Sequence, residues 1–302
     1  MMNQGGLSGA IPPAAHVPSP LARPGHRFSA RSRASLLLGA LFVGLVVVVG
    51  LLSFAWTPHD PLAMNAAEAL AHPSAEHWLG TDKFGRDVAS QLMVGSRMTL
   101  LVGVVAVGVA AAVGVPLGLV AAMTRHRWLD HVVMRFNDLL LAFPALLLAI
   151  MFSAVFGAST AMAMLAIGIA TVPAFARVVR AGALQVMGTD YVLAARAAGR
   201  RPPAIAWRHV LPNVASLVIV QASVCFAIAV LAEAALSFLG FGTPPPTPSW
   251  GRMLNENQTL LFSGGLRLSV YPGAAIAVAV LGFNLLGDGL RDLLDPRLEE
   301  RS

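Results

Sequence analysis

Three histidines in one polar stretch are the residues whose types most readily suggest chemistry. His59, His72 and His77 lie in this stretch together with several acidic residues. Imidazole and carboxylate groups are common ligands of zinc and nickel ions. The spacing of the three histidines is irregular, however, and no pattern of supporting partners accompanies it. We therefore interpret them as solvated surface residues, and we predict no metal site.

Other side chains of catalytic type do not form a recognisable set. The His and Asp residues are scattered over different segments, without a Ser/His/Asp or paired-carboxylate arrangement. A phosphate-binding loop requires G-x-x-x-x-G-K-[ST], but the only lysine is Lys83, which lies in DKFGRD. The one cysteine, Cys225, lies in an apolar run, so a disulfide within the chain is excluded. The sequence thus predicts no catalytic residue, no cofactor and no ATP site of this kind.

The composition is that of a protein that crosses a membrane many times. Of 302 residues, 56% are hydrophobic and only 12% are charged, whereas soluble domains carry about 25% charged residues. A soluble helical bundle would have to bury several long, charge-free runs. The net charge of +6 could suggest nucleic acid, but the arginines lie between apolar segments. We therefore predict an all-α polytopic membrane protein that binds no nucleic acid.

The apolar runs predict six transmembrane helices. About 20 apolar residues cross a bilayer as a helix. The charge-free stretch between Asp138 and Arg177 is too long for one span. We therefore predict a helical hairpin there, with its turn near Gly157–Thr160. The other predicted spans are Leu36–Trp56, Met98–Met123, Val214–Leu239 and Val270–Leu286.

The distribution of lysine and arginine predicts the orientation of these spans. Sixteen of the 21 Lys and Arg residues lie in the N-terminal tail, in the 124–137 and 177–213 segments and in the C-terminal tail. All four segments fall on one side of the predicted membrane. The positive-inside rule places that side in the cytoplasm. We therefore expect both termini and the 177–213 segment to be cytoplasmic.

Two long loops then fall on the outer side. In the first, Asp82 could cap an amphipathic helix whose apolar face carries Phe84, Val88 and Leu92. The second, between residues 240 and 265, is rich in proline and glycine and should be irregular but stiff. Glu233, near the outer end of the fifth span, is a charged residue inside an apolar run, and we assign it to a gate or a subunit interface.

The cytoplasmic segment 189–213 predicts two short helices that meet at a glycine. Thr189 can cap the first helix, and Gly199 can end it in a left-handed conformation. The adjacent Pro202 and Pro203 suit the first turn of the second helix. Small alanines and several arginines make this segment suitable for docking a partner. A lipid-facing interfacial helix without a partner is the alternative.

This segment resembles the EAA loop of ABC-importer permeases. The family pattern is E-A-A, then a glycine after three residues, and later a Leu-Pro pair. The corresponding residues here are Leu193-Ala194-Ala195, Gly199 and Val210-Leu211-Pro212. The family has roughly I-x-L-P at the last position, so the hydrophobe before Leu-Pro falls one place off the pattern. The chain departs from the pattern at Leu193, which stands where the family has glutamate. That departure puts one expected contact to the ATPase in doubt, whereas the Ala-Ala, Gly and Leu-Pro residues of the motif are present.

Three further stretches narrow the resemblance. They are HWLGTDKFGRDVASQLMVGSRMTL (77–100), LAEAALSFLGFGTPPPTPSWG (231–251) and NLLGDGLRDLLDP (284–296). With the EAA loop, they resemble the second permease subunit of the dipeptide/oligopeptide/nickel group of ABC importers. The resemblance covers about residues 36 to 298. It implies the type I importer fold, in which one outer helix accompanies a five-helix core.

The resemblance also implies a division of the chain and of its roles. We expect a disordered cytoplasmic N-terminal tail (1–33), a first span with a long periplasmic loop (34–97), a permease core with the coupling loop 189–213 (98–290) and a cytoplasmic C-terminal tail (291–302). The residues expected to couple to the ATPase are Leu193, Ala194, Ala195, Arg196, Gly199, Arg200, Leu211 and Pro212. Those expected in the outer loops and gate are Gly80, Thr81, Asp82, Gly85, Arg86, Asp87, Glu233, Phe238 and Trp250.

The expected partners follow from the same resemblance. They are a homologous second permease, two ABC ATPases, a periplasmic or lipid-anchored solute-binding protein and the lipid of the bacterial inner membrane. The expected substrates are di- or oligopeptides, with nickel chelates, glutathione or another small solute as alternatives. A self-contained channel or secondary transporter is the alternative of another class. An intramembrane enzyme is disfavoured, because clustered catalytic side chains are lacking.

Overall fold

The chain is almost entirely helical in the computed structural model, which describes residues 30–261 and 265–294. Within these residues the only β pairing is an isolated bridge between Thr81 and Asp87. The all-α prediction is thus confirmed. The helices are α1 (Ala30–Ala55), α2 (Val88–Met123), α3 (Arg127–Ala142), α4 (Ala145–Phe156), α5 (Thr160–Met187), α6 (Asp190–Ala197), α7 (Pro202–Ile205), α8 (Leu211–Phe238), α9 (Trp250–Asn257) and α10 (Leu266–Leu294).

Five helical stretches are long and apolar enough to cross a membrane. They are α1, α2, α5, α10 and the continuous stretch that joins α7 to α8 through a π-helical turn at Ala206–Val210. Helices α3 and α4 make a sixth if they are taken together as one span, bent by 84° at the break. The break falls at Pro144, because a proline restrains the residue before it and lacks an N–H to donate.

The prediction for the first outer loop is wrong about where a helix begins. No separate amphipathic helix capped by Asp82 forms in residues 57–87. Instead α2 begins at Val88, well before the predicted Met98, and the Asp87 side chain caps it by accepting from the Ser90 N–H at 2.8 Å. Val88 is fully buried against other helices, so packing within the protein extends the span outward.

The predicted hairpin turn is confirmed. Helix α4 ends at Phe156, Gly157 has a φ of +89°, and the Ser159 hydroxyl caps α5 by accepting from the Met162 N–H at 3.2 Å. The second outer loop, predicted to be irregular, instead contains α9. Ser249 caps this helix, and its first residue, Trp250, is only 2% exposed.

Helices α1 and α10 pack closely and run antiparallel. A Cβ added to Gly39 would lie 2.8 Å from the Leu286 Cα, and one added to Gly289 would lie 2.7 Å from the Leu36 Cα. Small residues at such positions let two helix backbones approach without intervening side chains. The outward face of α1 is apolar and exposed, as expected of a helix beside a core: its exposed residues include Leu37, Leu41, Val48 and Phe54.

Helices α2 and α5 make the central contact of the fold. Gly114 and Gly118 of α2 lie against the α5 backbone near Val172 and Ala176. Glycines four residues apart on one face of α2 thus let the backbones of α2 and α5 approach closely.

The arrangement places the arginine-rich segments at one end. The start of α1, the end of α10, the end of α2 and the α5–α8 connection all lie there. Residues 1–29 and 295–302 of the predicted tails lie outside the described residues. Within the described part, helix α1 begins at Ala30 and helix α10 continues to Leu294, so helices extend into both predicted tails.

Candidate functional site

The α5–α8 connection folds as the sequence predicts, into two short helices that meet at a glycine. Gly199 has a φ of +74°, a left-handed conformation that glycine adopts without steric cost. The Arg200 N–H donates to the Ala195 carbonyl at 3.1 Å, and the Gly199 N–H donates to the Arg196 carbonyl at 2.9 Å. These two bonds make a Schellman motif, which ends α6 and turns the chain sharply into α7.

A buried cluster attaches this loop to the membrane helices. Val192 of α6, Ile205 of α7 and Val210 of the π-helical turn are all 2% exposed or less. They pack against Val179 and Ala183 of α5, with Val214 of α8 beside them. A displacement of α6 or α7 would therefore be transmitted to both spans, because densely packed apolar groups do not deform freely.

The opposite face of the loop is exposed and carries most of the predicted coupling residues. Leu193 has 48% of its surface exposed. The other exposed members of the predicted set are Ala194, Arg196, Gly199, Arg200 and Pro212. These residues are small, apolar or cationic, and we call the exposed side of the loop that carries them the coupling face.

The predictions for three residues of this loop need correction. Ala195 is only 8% exposed, so it is buried beneath α6 and does not lie on the coupling face. Leu211 is half-buried for a similar reason. Thr189 occupies the cap position, but its hydroxyl donates to the Val186 carbonyl at 2.6 Å and makes no capping bond.

The sequence analysis missed two aromatic residues of the coupling face. Trp207 is 74% exposed and Tyr191 is 46% exposed. The Tyr191 ring lies 6.1 Å from the His209 ring, across the junction between α6 and the π-helical turn. The available signal was a tryptophan within an otherwise polar loop, since an exposed tryptophan commonly marks an interface.

Six of the nine predicted outer residues lie in one tight turn before α2. Thr81 and Asp87 form the isolated β-bridge, and Gly80 and Gly85 both have positive φ values, of +76° and +73°. A Cβ on Gly85 would overlap the Asn65 carbonyl, so only glycine fits there. This geometry brings all six predicted residues of the turn together.

Asp82 and Arg86 form a buried ion-pair network inside that turn. The Asp82 carboxylate accepts from the Arg86 Nε at 2.7 Å and from the Gln91 Nε2 at 3.0 Å. The other end of the guanidinium donates to Glu256, which also accepts from Arg252 Nε at 2.6 Å. The network therefore fastens the first outer loop to α9.

The pKa of Arg86 lies above its ordinary value. Burial by itself would lower this pKa, and it is the largest single influence. The hydrogen bonds and charges of Asp82 and Glu256 together outweigh it. The guanidinium is thus permanently charged, and its two carboxylate partners depend on it.

Trp250 and Glu233 are also buried, as parts of the outer scaffold. The Trp250 Nε1 donates to the Leu92 carbonyl at 3.0 Å, which joins α9 to α2. Glu233 is 1% exposed and accepts from the Ser237 hydroxyl at 2.7 Å. Phe238, by contrast, is exposed at the end of α8, apart from this turn. The structure therefore does not bring the nine predicted outer residues into one site.

The interpretation of the histidines as solvated surface residues is wrong for His77. Its side chain is buried, and its Nδ1 lies 2.9 Å from Asp87 Oδ1. The hydrogen bond to Asp87 raises the pKa of His77 above its ordinary value, against the lowering effect of burial, and Glu68 raises it further. His59 lies beside it, with ring centroids 4.5 Å apart. His72 is exposed, as predicted, and contacts Arg267.

Comparison with known proteins gives this arrangement a family. Residues 114–300 match the family model "Binding-protein-dependent transport system inner membrane component". The chain is 39% identical over 263 residues to the dipeptide transport system permease protein DppC of Alkalihalophilus pseudofirmus, covering 87% of this chain and 86% of that protein. It is also 39% identical over 260 residues to the glutathione transport system permease protein GsiD of Pectobacterium atrosepticum, covering 86% of each chain.

The solved structures agree on the fold. A structure of inward-facing conformations of the MetNI methionine ABC transporter aligns with a TM-score of 0.55 at 19% identity. The alignment covers 68% of this chain and 96% of that chain. The chain therefore belongs to the family of binding-protein-dependent transport system inner membrane components, and it is a multi-pass permease subunit of an ABC importer with the type I fold.

Proposed function

We propose that this permease moves di- or oligopeptides inward across the bacterial inner membrane, coupled to its ATPase partners through the coupling face. The observation that carries the proposal is the exposed α6–α7 surface, held rigidly between two spans by its buried cluster. An exposed surface on a rigid support is suited to receive a mechanical movement. Passive guidance of the solute then follows from the movement of the spans, without catalysis by this chain.

The chemistry of the coupling face suits a protein partner better than a lipid surface. Trp207 and Leu193 offer exposed apolar area, and Arg196 and Arg200 flank it with cationic groups. Tryptophan and arginine contribute strongly to binding energy in protein interfaces. Leu193 replaces a family glutamate, so apolar contact stands where a charged contact is expected elsewhere in the family.

The proposed movement passes from the loop to the spans in two steps. The ATPases close on ATP and draw the coupling faces of two permeases together. Val192 and Ile205 then carry that displacement into α5 and α8, because they are packed against both helices. A change between two discrete packings of these spans would open the path to one side at a time.

We further propose that a homologous second permease, two ATPase subunits and a periplasmic or lipid-anchored solute-binding protein complete the transporter. Both termini and the coupling loop 189–213 are assigned to the cytoplasm, since the arginine-rich segments share that end of the fold. The outer turn before α2 then belongs to the periplasmic loop within residues 34–97. The core, expected over residues 98–290, then begins with α2 at Val88. We keep Glu233 and Phe238 in the proposed outer gate.

Peptides are the favoured substrate because relatives that transport them match nearly the whole chain. The dipeptide permease of A. pseudofirmus supports this assignment. Glutathione is the second candidate, since the glutathione permeases are equally similar and glutathione is itself a small peptide. A nickel chelate or another small solute is the remaining alternative within this class.

The coupling proposal is tested by charge reversal on the coupling face. The permease is co-expressed with its neighbouring gene products, purified in detergent and assayed for ATP hydrolysis in lipid vesicles. We expect Arg200→Glu to reduce both ATPase retention and stimulation by the solute-binding protein. Arg125→Glu is the matched control, because Arg125 is an exposed arginine at the same end of the fold but outside the loop.

Two outcomes would contradict the proposal. If the two variants behave alike, the coupling face is not the docking surface. If a folded wild-type chain retains no ATPase, the hypothesis of a self-contained channel or secondary transporter is favoured instead. Uptake of a labelled dipeptide and of labelled glutathione, each with the solute-binding protein present, distinguishes the two substrate classes.

A further inference from the structure

A cluster of two imidazoles and one carboxylate lies at the outer end of the fold. His59 follows α1, His77 lies in the middle of the first outer loop, and Asp87 caps α2. The Asp87 Oδ1 atom lies 2.9 Å from His77 Nδ1 and 3.8 Å from His59 Nδ1. All three candidate ligand atoms lie within 4.8 Å of one another. Two imidazole nitrogens and one carboxylate oxygen, from residues far apart in the sequence, thus lie close together.

These separations suit a tetrahedral metal ion. Bonds of about 2.0–2.1 Å to zinc place neighbouring ligand atoms about 3.3 Å apart. The two distances to Asp87 Oδ1 lie on either side of that value, and the ligand nitrogens of the two histidines lie within 4.8 Å of each other. Small shifts of the two rings would bring all three atoms to bonding distance of one ion. Side-chain torsions can supply such shifts without a change in the backbone.

The ligands are also oriented by a second set of contacts. Asp87 Oδ2 accepts from the Ser90 N–H at 2.8 Å and the Ser90 hydroxyl at 2.7 Å, whereas Oδ1 accepts from His77 Nδ1 at 2.9 Å. Zinc binding would release that Nδ1 proton and place the ion between the two atoms. His77 Nε2 lies 3.4 Å from the Glu68 carboxylate. The His59 backbone N–H donates to the same Ser90 hydroxyl at 2.9 Å. A carboxylate behind a histidine is the usual support of a metal-binding imidazole.

His59 Nδ1 supplies an independent indication. This nitrogen is inaccessible to solvent and has no hydrogen-bond partner within the described part of the chain. Leaving a buried polar atom without a partner costs about 1–3 kcal/mol. A cation bound between His59, His77 and Asp87 would remove that cost.

We propose that His59, His77 and Asp87 bind a zinc ion that clips the first outer loop to the start of α2. Two imidazoles and one carboxylate favour zinc over magnesium or calcium, which prefer all-oxygen sites. His59 Nδ1 is closed to solvent, so the fourth ligand would be a water molecule enclosed with the ion. The site joins the end of α1, the middle of the loop and α2. It is a structural site, separate from the coupling face.

The test measures zinc on the intact permease, purified with its partner subunits and freed of any affinity tag. Bound metal is removed with a chelator, and Zn²⁺ is returned in competition with a chromophoric chelator. We expect one tightly bound Zn²⁺ per permease and a zinc-edge X-ray absorption spectrum with two imidazole ligands. Mg²⁺ at the same concentration should not displace it.

Three variants make the test specific to this cluster. Glu68→Gln should weaken Zn²⁺ binding by about tenfold, because it removes the charge behind His77. His59→Ala should weaken it further, and this partly exposed side chain can be removed without opening the core. His72→Ala is the matched control, because His72 is an exposed histidine of the same loop outside the cluster. Its affinity for Zn²⁺ should be unchanged.

The proposal fails on either of two results. One is a wild-type protein that retains no Zn²⁺ after desalting. The other is a set of variants in which His59→Ala and His72→Ala affect binding equally, as expected of adventitious surface binding. Size-exclusion profiles recorded with chelator present verify that each variant is folded, so a loss of metal is not mistaken for a loss of structure.

Discussion

Replacing Arg86 by methionine should destabilise the outer end of the permease strongly. The Arg86 side chain is 5% exposed and contacts two carboxylates, of Asp82 and Glu256, whose side chains are 2% and 14% exposed. Methionine keeps much of the volume but removes the positive charge. The buried Asp82 carboxylate would then lose its ionic partner, while Glu256 would keep its ion pair with Arg252. The first outer loop would also lose its tie to α9.

The size of the effect follows from the burial. Removing one partner of a buried ion pair costs about 3–5 kcal/mol, because the remaining charge stays desolvated. For a protein of this size, 1 kcal/mol corresponds to about 2 °C in the midpoint of thermal unfolding. The expected decrease for Arg86→Met is therefore about 6–10 °C. Arg86→Lys should recover part of this decrease, since lysine restores the charge but not the forked geometry.

The assay is thermal unfolding of the purified permease in detergent at a fixed heating rate, followed by size-exclusion chromatography. Arg177→Met is the matched control. Arg177 pairs with Asp138 at 2.6 Å, but their side chains are 52% and 48% exposed. An exposed pair contributes about 0–1 kcal/mol, so the control should shift the midpoint by less than about 2 °C. Equal shifts for Arg86→Met and Arg177→Met would refute the reasoning from burial.

Two further predictions concern glycines. Gly118→Leu should prevent correct assembly of the permease, because its Cβ would lie 2.6 Å from the Ala176 carbonyl oxygen. Gly108→Leu is the control and should be tolerated, since no heavy atom lies within 4 Å of its Cβ. The fraction of monodisperse protein on size-exclusion chromatography measures both effects. Gly199→Val should lower the stability of the loop by about 1–2 kcal/mol and reduce stimulated ATP hydrolysis, because a branched residue is strained at positive φ. Gly199→Asn should retain most of the stability and most of the ATP hydrolysis, since asparagine tolerates this conformation. Equal behaviour of the two Gly199 variants would contradict this explanation.

The coupling loop was the part of the site most accessible from sequence. Its signals are local: Gly199 after a short alanine-rich helix, and Pro202 at the start of the next. Local conformational preferences determine such features, so they can be predicted from the sequence alone. The sequence could not show that Ala195 is buried and Ala194 is exposed. Which alanine faces inward depends on how α6 packs against the helices beside it.

In the first outer loop, the sequence alone did not predict where the helix begins. The sequence there contains a suitable cap residue and an apolar repeat, and both suggested a helix after Asp82. The structure instead uses Asp82 as the partner of Arg86 and makes Asp87 the cap. Asp82 also accepts from Gln91, and its partner Arg86 pairs with Glu256, which lies far away in the sequence. A local pattern cannot reveal which carboxylate a distant helix will recruit.

The sequence by itself determined the class of the protein, the spans and the coupling loop. Long apolar runs must cross a membrane as helices, because a backbone in lipid has to satisfy its own hydrogen bonds. Only the tertiary structure decided how α2 extends outward, which residues form the coupling face, and that His59, His77 and Asp87 meet. Those facts depend on contacts between residues far apart in the chain, and the free energy of such contacts exists only once the helices have packed.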